Sequence, residues 1–398
     1  MAAFLGWMLD AFDYFLLVMV VGHIADTFHT GIKAVSYAIF LTLAMRPVGA
    51  LLFGIVADRY GRRPALMGSI FLYSVIELLS GFAPSLGAFL VLRAVFGIGM
   101  GGVWGVGASL AMETVPARSR GFLSGILQQG YPAGYLLAAL TYGLAYPHFG
   151  WRGMFFIGAL PAVLVFFIRT GVQESPAWIR ERAESRARRA RWTWATVRQH
   201  LPLFLYMIAL MAAFNAFSHG TQDLYPGGFL EKQRGLLIGT VTMITVIYNL
   251  GAISGGIFFG AISQRIGHRR AIAVASLLAI PLIPVWVGSV SVAWLAVGAF
   301  LFQFAVQGAW GVVPAHLNEL SPTAVRGTFP GLAYQLGNLC ASFVSPLQAS
   351  LAESRGNDYS HVLGWGVAAT AVILAAIALA GPEARTAELA PGPSSVPS

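Results

Sequence analysis

Between two long apolar segments the chain reads Gly54-Ile-Val-Ala-Asp58-Arg59-Tyr-Gly61-Arg62-Arg63. A related stretch, Gly260-Ala-Ile-Ser-Gln264-Arg265-Ile-Gly267-His268-Arg269, follows at an offset of 206 residues. The same offset aligns further residues of the two halves without a gap. It relates Trp104 to Trp310, Glu113 to Glu319, Pro116 to Pro322, Arg120 to Arg326 and Gln129 to Gln335. The sequence therefore predicts two homologous halves built on one plan.

The composition is that of a protein that crosses a membrane several times. Of the 398 residues, 57% are hydrophobic and 10% are charged, whereas a soluble domain carries about 25% charged residues. The single cysteine excludes an intrachain disulfide and a metal site built on cysteines. The net charge of +9 lies mainly in loops on one side, which favours contact with anionic lipid over a nucleic-acid partner.

Apolar segments of about 20 residues are long enough to cross a bilayer, and the chain has twelve. They are residues 4–25, 34–56, 65–82, 86–112, 122–145, 151–170, 201–222, 236–262, 271–288, 292–315, 327–351 and 360–380. The prediction is an all-α membrane protein of twelve transmembrane helices in two six-helix pseudo-repeats. Residues 1–172 form the N-terminal bundle, 173–200 a basic cytoplasmic linker, 201–381 the C-terminal bundle and 382–398 a disordered tail.

Arginines are concentrated in the short connections on one side of the predicted spans. By the positive-inside rule this side is cytoplasmic, and with an even number of spans both termini lie there too. We therefore expect a multi-pass protein of the inner cell membrane. Two related bundles enclose a central cavity that can open alternately to either side, and we expect one chain to be sufficient for this.

Polar groups interrupt the seventh span. Asn215, His219 and Asp223 follow one another at intervals of four residues, so they share one face of a helix. A charged side chain in hydrocarbon costs several kcal/mol, and such a face should line the bundle interior or a watery cavity. The stripe predicts the substrate and proton path of a transporter.

The stretch 54–63 resembles the signature loop of the major facilitator superfamily, where this loop is a conformational latch. The resemblance assigns latch roles to Gly54, Asp58, Arg59, Gly61, Arg62 and Arg63. It also implies that Glu113 with Arg120, and Glu319 with Arg326, form gate and latch pairs at the cytoplasmic face. Arg93, in a glycine-rich part of the fourth span, is expected to be buried and paired.

Six further segments resemble the sialate:H+ symporter family, most of all its lactate and monocarboxylate permeases. They are Asn215–Pro226, Leu9–Asp13, Arg46–Ala50, Gln128–Tyr131, Gln307–Gly311 and Tyr334–Asn338. The pattern normally has threonine at the position of Gly227. The resemblance implies a proton-coupled symporter for a small monocarboxylate such as lactate or pyruvate, without enzymatic activity, metal or cofactor. The alternatives are uptake of sialate or another organic anion, such as an aromatic acid, and a non-transporting sensor.

The rise of 1.5 Å per residue in a helix places Arg46 and Asn215 at a similar depth near the middle of the membrane. A guanidinium matches a carboxylate with two parallel hydrogen bonds, so we expect Arg46 to receive the substrate carboxylate. The remaining expected substrate contacts are Asn215, Gln129, Gln335, His219, Tyr131 and Tyr334. For the two tyrosines, the alternative role is packing around the cavity.

The proton is expected on His219 and Asp223, because a semi-buried carboxylate or imidazole can be brought to titrate near neutral pH. Other acids within the spans remain open as carriers. They are Asp10, Asp13 and Glu77. A further alternative is that Arg46 pairs with Asp10 or Asp13 on the neighbouring helix instead of binding substrate.

Overall fold

The structure, a computed structural model, describes residues 2–114, 126–160, 162–171, 174, 194–321 and 329–382. These residues are helical almost throughout. The helices are α1 Ala2–Thr27, α2 Ile32–Tyr60, α3 Arg62–Gly81, α4 Leu86–Thr114, α5 Gly130–Ile157, α6 Ala162–Gly171, α7 Trp194–Gln222, a π-helix Tyr225–Gln233, α8 Ile238–Ile266, α9 His268–Leu278, a 3-10 turn Ile280–Leu282, α10 Ile283–Val287, α11 Val292–Trp310, α12 Val313–Leu320, α13 Phe329–Ala341, α14 Val344–Glu353 and α15 Tyr359–Ala380.

Nine segments of the described residues are long and apolar enough to cross a membrane. They are Phe4–Thr27, Ile32–Ala57, Arg62–Gly81, Leu86–Trp104, Arg198–Gln233, Ile238–Ser263, His268–Val287, Val292–Trp310 and Tyr359–Ala380. The other three predicted spans each include residues outside the described ranges, and their described parts are almost entirely helical. The predicted all-α membrane fold is confirmed.

The seventh span differs most from its prediction. Helix α7 begins at Trp194, inside the segment expected to be a linker, and the chain continues after Gln222 into the π-helix Tyr225–Gln233. In this π-helix the backbone N–H of Phe229 donates to the carbonyl of Leu224 at 3.0 Å. Most of the predicted linker, and the tail after residue 382, lie outside the described residues.

Helix breaks occur where proline or a local change of hydrogen bonding interrupts the expected spans. The ninth span divides into α9, the 3-10 turn and α10, with Pro281 and Pro284 at the starts of the last two elements. Proline lacks the N–H that a helix interior needs, so it is tolerated in the first turn of a new helix. The tenth and eleventh spans are likewise split, after Trp310 and after Ala341.

The two halves repeat the same turn between their second and third helices. Gly61 has φ +117° and Gly267 has φ +97°, and each ends one helix and precedes the next. Side chains with a Cβ rarely adopt positive φ, so glycine is required at both positions. The turn that the repeated stretch predicts is therefore confirmed in both copies. We call this end of α2 and α8 the turn side.

The halves also share a close helix crossing. A Cβ built on Gly49 in α2 would lie 1.9 Å from the carbonyl oxygen of Ile98 in α4, and one on Gly255 in α8 would lie 2.0 Å from that of Phe304 in α11. These pairs are related by the offset of 206 residues. Only glycine allows the backbones to approach this closely, and the repeat is thus visible in packing as well as in sequence.

Helices α1, α2 and α5 of the first half face α8, α13, α14 and the π-helix of the second, and Tyr14 of α1 also contacts His219 of α7. Phe40 of α2 packs on Phe343 just before α14, with ring centroids 4.7 Å apart. A Cβ built on Gly143 of α5 would lie 2.7 Å from the side chain of Thr242 in α8. The polar residues singled out from the sequence lie along this contact between the halves or just behind it.

Candidate substrate and proton site

A buried polar cluster joins the halves at the end of α7. The Tyr14 hydroxyl of α1 donates to Asp223 Oδ1 at 3.0 Å and lies 3.1 Å from His219 Nδ1. His219 Nδ1 is also 3.1 Å from Asp223 Oδ1, and the Ser345 hydroxyl of α14 donates to Asp223 Oδ2 at 2.6 Å. His219 and Asp223, expected to share one face of the seventh helix, lie within hydrogen-bond distance of each other. Asp223 is completely buried and lies just before the π-helix Tyr225–Gln233.

Arg46 lies buried at the contact between the halves. Its Nη2 is 3.6 Å from Asp10 Oδ2, a distance that permits an ion pair but exceeds a normal hydrogen bond. Its Cζ lies 5.8 Å from the ring centroid of Trp7 in α1 and 5.9 Å from that of Tyr334 in α13. Among the described residues, the Nε and Nη2 atoms of Arg46 have no hydrogen-bond partner. Arg46 thus pairs with Asp10, as one alternative of the sequence analysis had it. Its Nε and Nη2 atoms remain available as hydrogen-bond donors.

Asp13, Glu77 and Arg93 form a second charged group inside the first half. Glu77 and Arg93 are joined by a short ion pair, and both side chains are completely buried. Both carboxylate oxygens of Asp13 are buried and have no hydrogen-bond partner among the described residues. A Cβ on Gly158 would meet Glu77 Cγ at 2.8 Å and Asp13 Oδ1 at 3.2 Å, so the two acids lie side by side.

Charge balance in this half favours a bound proton. Among the described residues of this half, the buried guanidiniums of Arg46 and Arg93 stand against three buried carboxyl groups, those of Asp10, Asp13 and Glu77. Arginine stays protonated in proteins, and an unpaired buried carboxylate is costly. Since Asp10 and Glu77 each have an arginine partner, Asp13 is the acid for which the neutral form costs least.

Amide and hydroxyl groups connect α7 to helices on both sides. The Tyr131 hydroxyl of α5 donates to Gln222 Oε1 at 3.4 Å, and Gln222 Nε2 donates to the Ser218 hydroxyl at 2.8 Å. Ser218 also accepts from Gln307 Nε2 of α11 at 3.3 Å. Of the predicted contacts, Tyr131 therefore reaches the seventh span.

Other predicted substrate contacts are engaged elsewhere. Asn215 Nδ2 donates to the Met211 carbonyl of its own helix at 2.9 Å. Gln335 Oε1 accepts from Asn338 at 3.1 Å, and Gln129 lies against Gly256 of α8. No hydrogen bond between these side chains and Arg46 occurs within the described part of the chain.

Several residues of the site carried no role in the sequence analysis. Tyr14 and Ser345 hold Asp223, and Trp7 lies under Arg46. Tyr14 follows Asp13 directly in an acid-containing span, a signal that could have identified it. Ser345 and Trp7 gave no signal in a single sequence, since small hydroxyl residues and aromatic residues are common in membrane helices.

The latch residues on the turn side are described in part. The backbone N–H groups of Arg62 and Arg63 donate to the Glu174 carboxylate at 3.0 and 3.1 Å. Arg59 is exposed and its Cζ lies 5.4 Å from the ring of Tyr60. Gly54 has open space around it. The following lie outside what the structure describes: the side chains of Asp58 and Glu113, and all of Arg120 and Arg326.

In the second half, Glu319 has a partner that the sequence analysis did not assign. His268 Nε2 lies 3.1 Å from Glu319 Oε2. His268 occupies the position that corresponds to Arg62 in the first half. Whether Glu319 also meets Arg326 stays a prediction.

The end opposite the turn side, which we call the far side, is closed by charged contacts between the halves. His23 Nε2 of α1 lies 3.2 Å from Glu231 Oε2 of the π-helix, and the Tyr142 hydroxyl of α5 donates to the same carboxylate. Lys232 Nζ lies 2.5 Å from Asp26 Oδ2. These contacts join α1 and α5 of the first half to the π-helix of the second, and Asp223 is completely buried.

A narrow crevice lies near Arg46, lined by Trp104, Gln128, Trp310 and Tyr334 together with aliphatic and proline side chains. It has room for roughly one water molecule in this conformation. A larger cavity of about 420 Å³ lies between α1, α5 and α6, and among the described residues that line it Thr141 alone is polar. The apolar cavity offers no partner for an anion, so the crevice is the candidate site. In the described residues, no group of three metal-ligating side chains could hold a metal ion.

Comparisons with known proteins agree on the fold and the general activity. A family model described as Major Facilitator Superfamily matches residues 3–346. The sialic acid transporter NanX of Escherichia coli K12 is 33% identical over 343 residues, which cover 84% of this chain and 82% of that protein. A probable 4-methylmuconolactone transporter of Cupriavidus pinatubonensis is 31% identical, with coverage of 84% and 79%.

A carboxylic acid transporter protein homolog of Saccharomyces cerevisiae is 29% identical over 88% of this chain. The chain spans 60% of the length of that yeast protein. Among solved structures, the xylose transporter XylE of Escherichia coli, in a partially occluded inward open conformation, matches with a TM-score of 0.77. That match covers 98% of both chains at 17% identity, and it therefore shows the fold alone.

Proposed function

This chain belongs to the major facilitator superfamily, and we propose that it is a proton-coupled symporter that carries a small monocarboxylate by alternating access. Members of the superfamily are transporters and not enzymes, so the expectation of no enzymatic activity is confirmed at the level of the family. The substrate and the coupling ion form the proposal.

The observation that carries the proposal is the state of Arg46. A guanidinium is buried between the halves with two nitrogen atoms that lack hydrogen-bond partners among the described residues. Its ion pair with Asp10 is long, at 3.6 Å. A substrate carboxylate could accept two parallel hydrogen bonds from this fork. Because Tyr334 of the second half lies against the same guanidinium, a carboxylate bound there would contact both halves.

Two groups could carry the proton. The first is the His219 and Asp223 pair, which Tyr14 and Ser345 hold at the contact between the halves. The second is Asp13, whose carboxylate oxygens have no hydrogen-bond partner among the described residues. We propose that both take part. Each places a titratable carboxyl group in a buried position, where burial disfavours its charged form.

Coupling then follows from electrical neutrality. One carboxylate that moves with one proton carries no net charge through the low-dielectric interior. A difference of one pH unit supplies about 1.4 kcal/mol, which corresponds to a tenfold accumulation. Substrate without a proton, or a proton without substrate, would leave an unbalanced buried charge and oppose the conformational change.

Alternating access requires the far side to open. In the described conformation it is closed by the pairs His23 with Glu231 and Asp26 with Lys232. We propose that these contacts break when the halves rock apart and that the latch residues near Gly61 and Gly267 then close the turn side. The arginine distribution supports placing the turn side in the cytoplasm, in an inner cell membrane, with both termini cytoplasmic.

The relatives support an organic acid as substrate, since their names include sialic acid and carboxylic acid transporters. The segments that resemble lactate permeases favour lactate or pyruvate within that class. Sialate or another organic anion remains the second candidate, and a sensor without transport is the third. We expect the chain to act as a monomer.

The test is uptake of labelled lactate and pyruvate into proteoliposomes containing the purified chain. Protein-free liposomes measure passive entry of the neutral acids. We expect acidification of the outside by one pH unit to drive accumulation that an excess of unlabelled monocarboxylate abolishes. Protein-dependent uptake of labelled sialate, with none of lactate or pyruvate, would support the second candidate. Absence of any protein-dependent flux of either class would refute the transport proposal.

A further inference from the structure

We infer that Glu353 of the second half is a further gate residue, whose carboxylate caps the N-terminus of α2 in the first half and thereby holds the far side closed. We call this contact the Glu353 cap. The inference rests on the proposed function in one respect, since it takes the far side to open during the transport cycle. It adds to the two far-side ion pairs a contact between a side chain and a helix terminus.

Helix α2 begins without a cap from its own segment. Its N-cap residue is Gly31, which has no side chain to accept a hydrogen bond. The first N–H groups of a helix have no acceptor within the helix. A serine, threonine, aspartate or asparagine at the N-cap normally accepts from the second or third of them. The start of α2 therefore needs an acceptor from another part of the chain.

The second half supplies this acceptor. The backbone N–H of Lys33, the second residue of α2, donates to Glu353 Oε1 at 3.0 Å. A Cβ built on Gly31 would lie 2.6 Å from the same oxygen, so the carboxylate occupies the space that an N-cap side chain would fill. The helix dipole favours a negative charge at this end. Glu353 thus replaces the missing cap in position, hydrogen bonding and charge.

The carboxylate of Glu353 has no competing basic partner in the part of the chain that the structure describes. No lysine, arginine or histidine side chain there forms an ion pair with it. Its charge is therefore opposed by the end of α2 and not by a side chain that could follow it. When the halves separate, the carboxylate and the first turn of α2 lose each other.

The chain after Glu353 fixes the carboxylate at the end of α14. Glu353 is the last residue of that helix, and the N–H of Asn357 donates to the Ala352 carbonyl at 2.8 Å. Gly356 and Asn357 have φ +71° and +66°, the left-handed conformation that commonly ends a helix. Glu353 is therefore presented to the first half by a hydrogen-bonded turn, and it moves with the second half.

The internal repeat shows that the Glu353 cap is not a general need of the fold. The offset of 206 residues relates Gly31 to Leu237, which is the N-cap of α8, and Glu353 to Pro147 of α5. Neither Leu237 nor Pro147 has a side chain that can accept a hydrogen bond. The contact between α2 and α14 thus carries a charged cap that the equivalent contact between α8 and α5 lacks.

Accessibility of the far side in the purified full chain tests this inference. The reporter is Ala25→Cys, at a buried position, in a chain whose exposed Cys340 is replaced by alanine. We expect Glu353→Ala to speed maleimide labelling about tenfold, as loss of a charged cap would give. Glu353→Gln keeps an acceptor without the charge and should have a smaller effect. Ser85→Ala is the matched control with unchanged labelling, because Ser85 caps α4 within the first half by accepting from the Ala88 N–H at 3.3 Å.

A second substitution separates a gate from a structural cap. Gly31→Asp, added to Glu353→Ala, supplies a capping carboxylate from the segment that precedes α2. The backbone at Gly31, with φ −77° and ψ 159°, suits any residue. If the Glu353 cap joins the halves, labelling in the double variant stays as fast as in Glu353→Ala. Return to the rate of the reporter chain would show that Glu353 only stabilises α2, and would overturn the inference.

The outcomes are distinguishable from those of the proposed function. Unchanged labelling in both Glu353 variants, in a chain that carries monocarboxylates into proteoliposomes, would overturn the gate and leave the proposed function standing. Faster labelling in a chain that transports no organic acid would support the gate and remove the proposed function. Size-exclusion profiles establish that each variant is folded, and the isosteric Glu353→Gln carries the test if Glu353→Ala is not.

Discussion

The hydroxyl of Tyr14, in the first helix of the N-terminal half, donates a 3.0 Å hydrogen bond to Oδ1 of Asp223, at the end of the first helix of the C-terminal half. The same hydroxyl lies 3.1 Å from His219. A change of protonation on His219 or Asp223 therefore alters a contact between the halves directly. In the proposed mechanism, this relationship would link proton binding to the movement that alternating access requires.

Removal of the Tyr14 hydroxyl should loosen the far side. Tyr14→Phe keeps the ring but removes a buried bond to a carboxylate, and hydrogen bonds to charged groups contribute about 1.5–3 kcal/mol. We expect roughly tenfold faster labelling of a cysteine placed at the buried position Ala25, in a chain with Cys340→Ala, by a membrane-impermeant maleimide. Tyr37→Phe, at an exposed ring, is the control. Unchanged labelling in Tyr14→Phe would show that this bond does not hold the halves together.

Loss of the guanidinium should abolish transport. Arg46→Ala removes the proposed carboxylate partner and leaves Asp10 buried without its counter-ion, which costs about 3–5 kcal/mol of stability. The double variant Arg46→Ala with Asp10→Asn removes that cost and should still be inactive. Uptake of the best substrate is the measurement, and Arg198→Ala, at an exposed arginine, is the charge-matched control. Normal uptake by the double variant would refute the role of Arg46.

Neutral replacements of the two proton sites should separate exchange from accumulation. In Asp13→Asn and in Asp223→Asn the amide mimics the protonated acid, so loaded carriers can still exchange internal for external substrate. Proton-driven accumulation should fall to the level of protein-free liposomes. Each variant is assayed for both processes in the same preparation. A variant that still accumulates substrate across a pH step removes its acid from the coupling path.

The two far-side ion pairs should differ in importance because their exposure differs. The side chains of Lys232 and Asp26 are 36% and 59% exposed, whereas those of His23 and Glu231 are 23% and 9% exposed. Exposed pairs contribute about 0–1 kcal/mol, while Glu231 also accepts from Tyr142. We expect Glu231→Gln to open the far side clearly, and Lys232→Gln only slightly, in the same labelling assay. The reverse order would contradict this assignment of the closure.

Gly227, at the position where the family pattern that this segment resembles normally has threonine, should matter for closure. A Cβ at Gly227 would lie 2.8 Å from Val21 Cγ1 of α1, so the π-helix could not approach α1 as closely. Gly227→Thr should increase far-side labelling and slow uptake severalfold. Gly239→Thr is the matched control, because Gly239 has open space around its Cα. Equal behaviour of the two variants would show that this contact does not limit closure.

The repeat at an offset of 206 residues was sufficient to predict the two halves, because it recurs in turns and helix crossings that only glycine permits. Gly61 and Gly267 adopt the same backbone conformation, and Gly49 and Gly255 meet carbonyl oxygens in the same way. The pattern of apolar segments predicted the spans but not their breaks. The π-helix Tyr225–Gln233 in particular has no sequence signal, since its polar and glycine residues are equally typical of a loop.

For the site, residue spacing within one helix could be read from the sequence, whereas contacts between helices could not. The interval of four residues predicted that His219 and Asp223 share one helix face, and in the structure their side chains lie 3.1 Å apart. The partners Tyr14 and Ser345 lie 209 and 122 residues from Asp223, and no local pattern relates them. Arg93 pairs with Glu77 and not with Asp13. This choice likewise depends on how α1, α3 and α4 pack.

The central proposal is that substrate and proton cross the membrane together. Proton movement evoked by substrate tests this most directly. The purified chain is reconstituted into liposomes that contain a trapped pH indicator, with equal pH on both sides and the membrane potential clamped at zero. A substrate gradient directed inward should acidify the interior, and the Arg46→Ala with Asp10→Asn variant should give no signal. Substrate entry measured in parallel without any protein-dependent acidification would contradict proton symport.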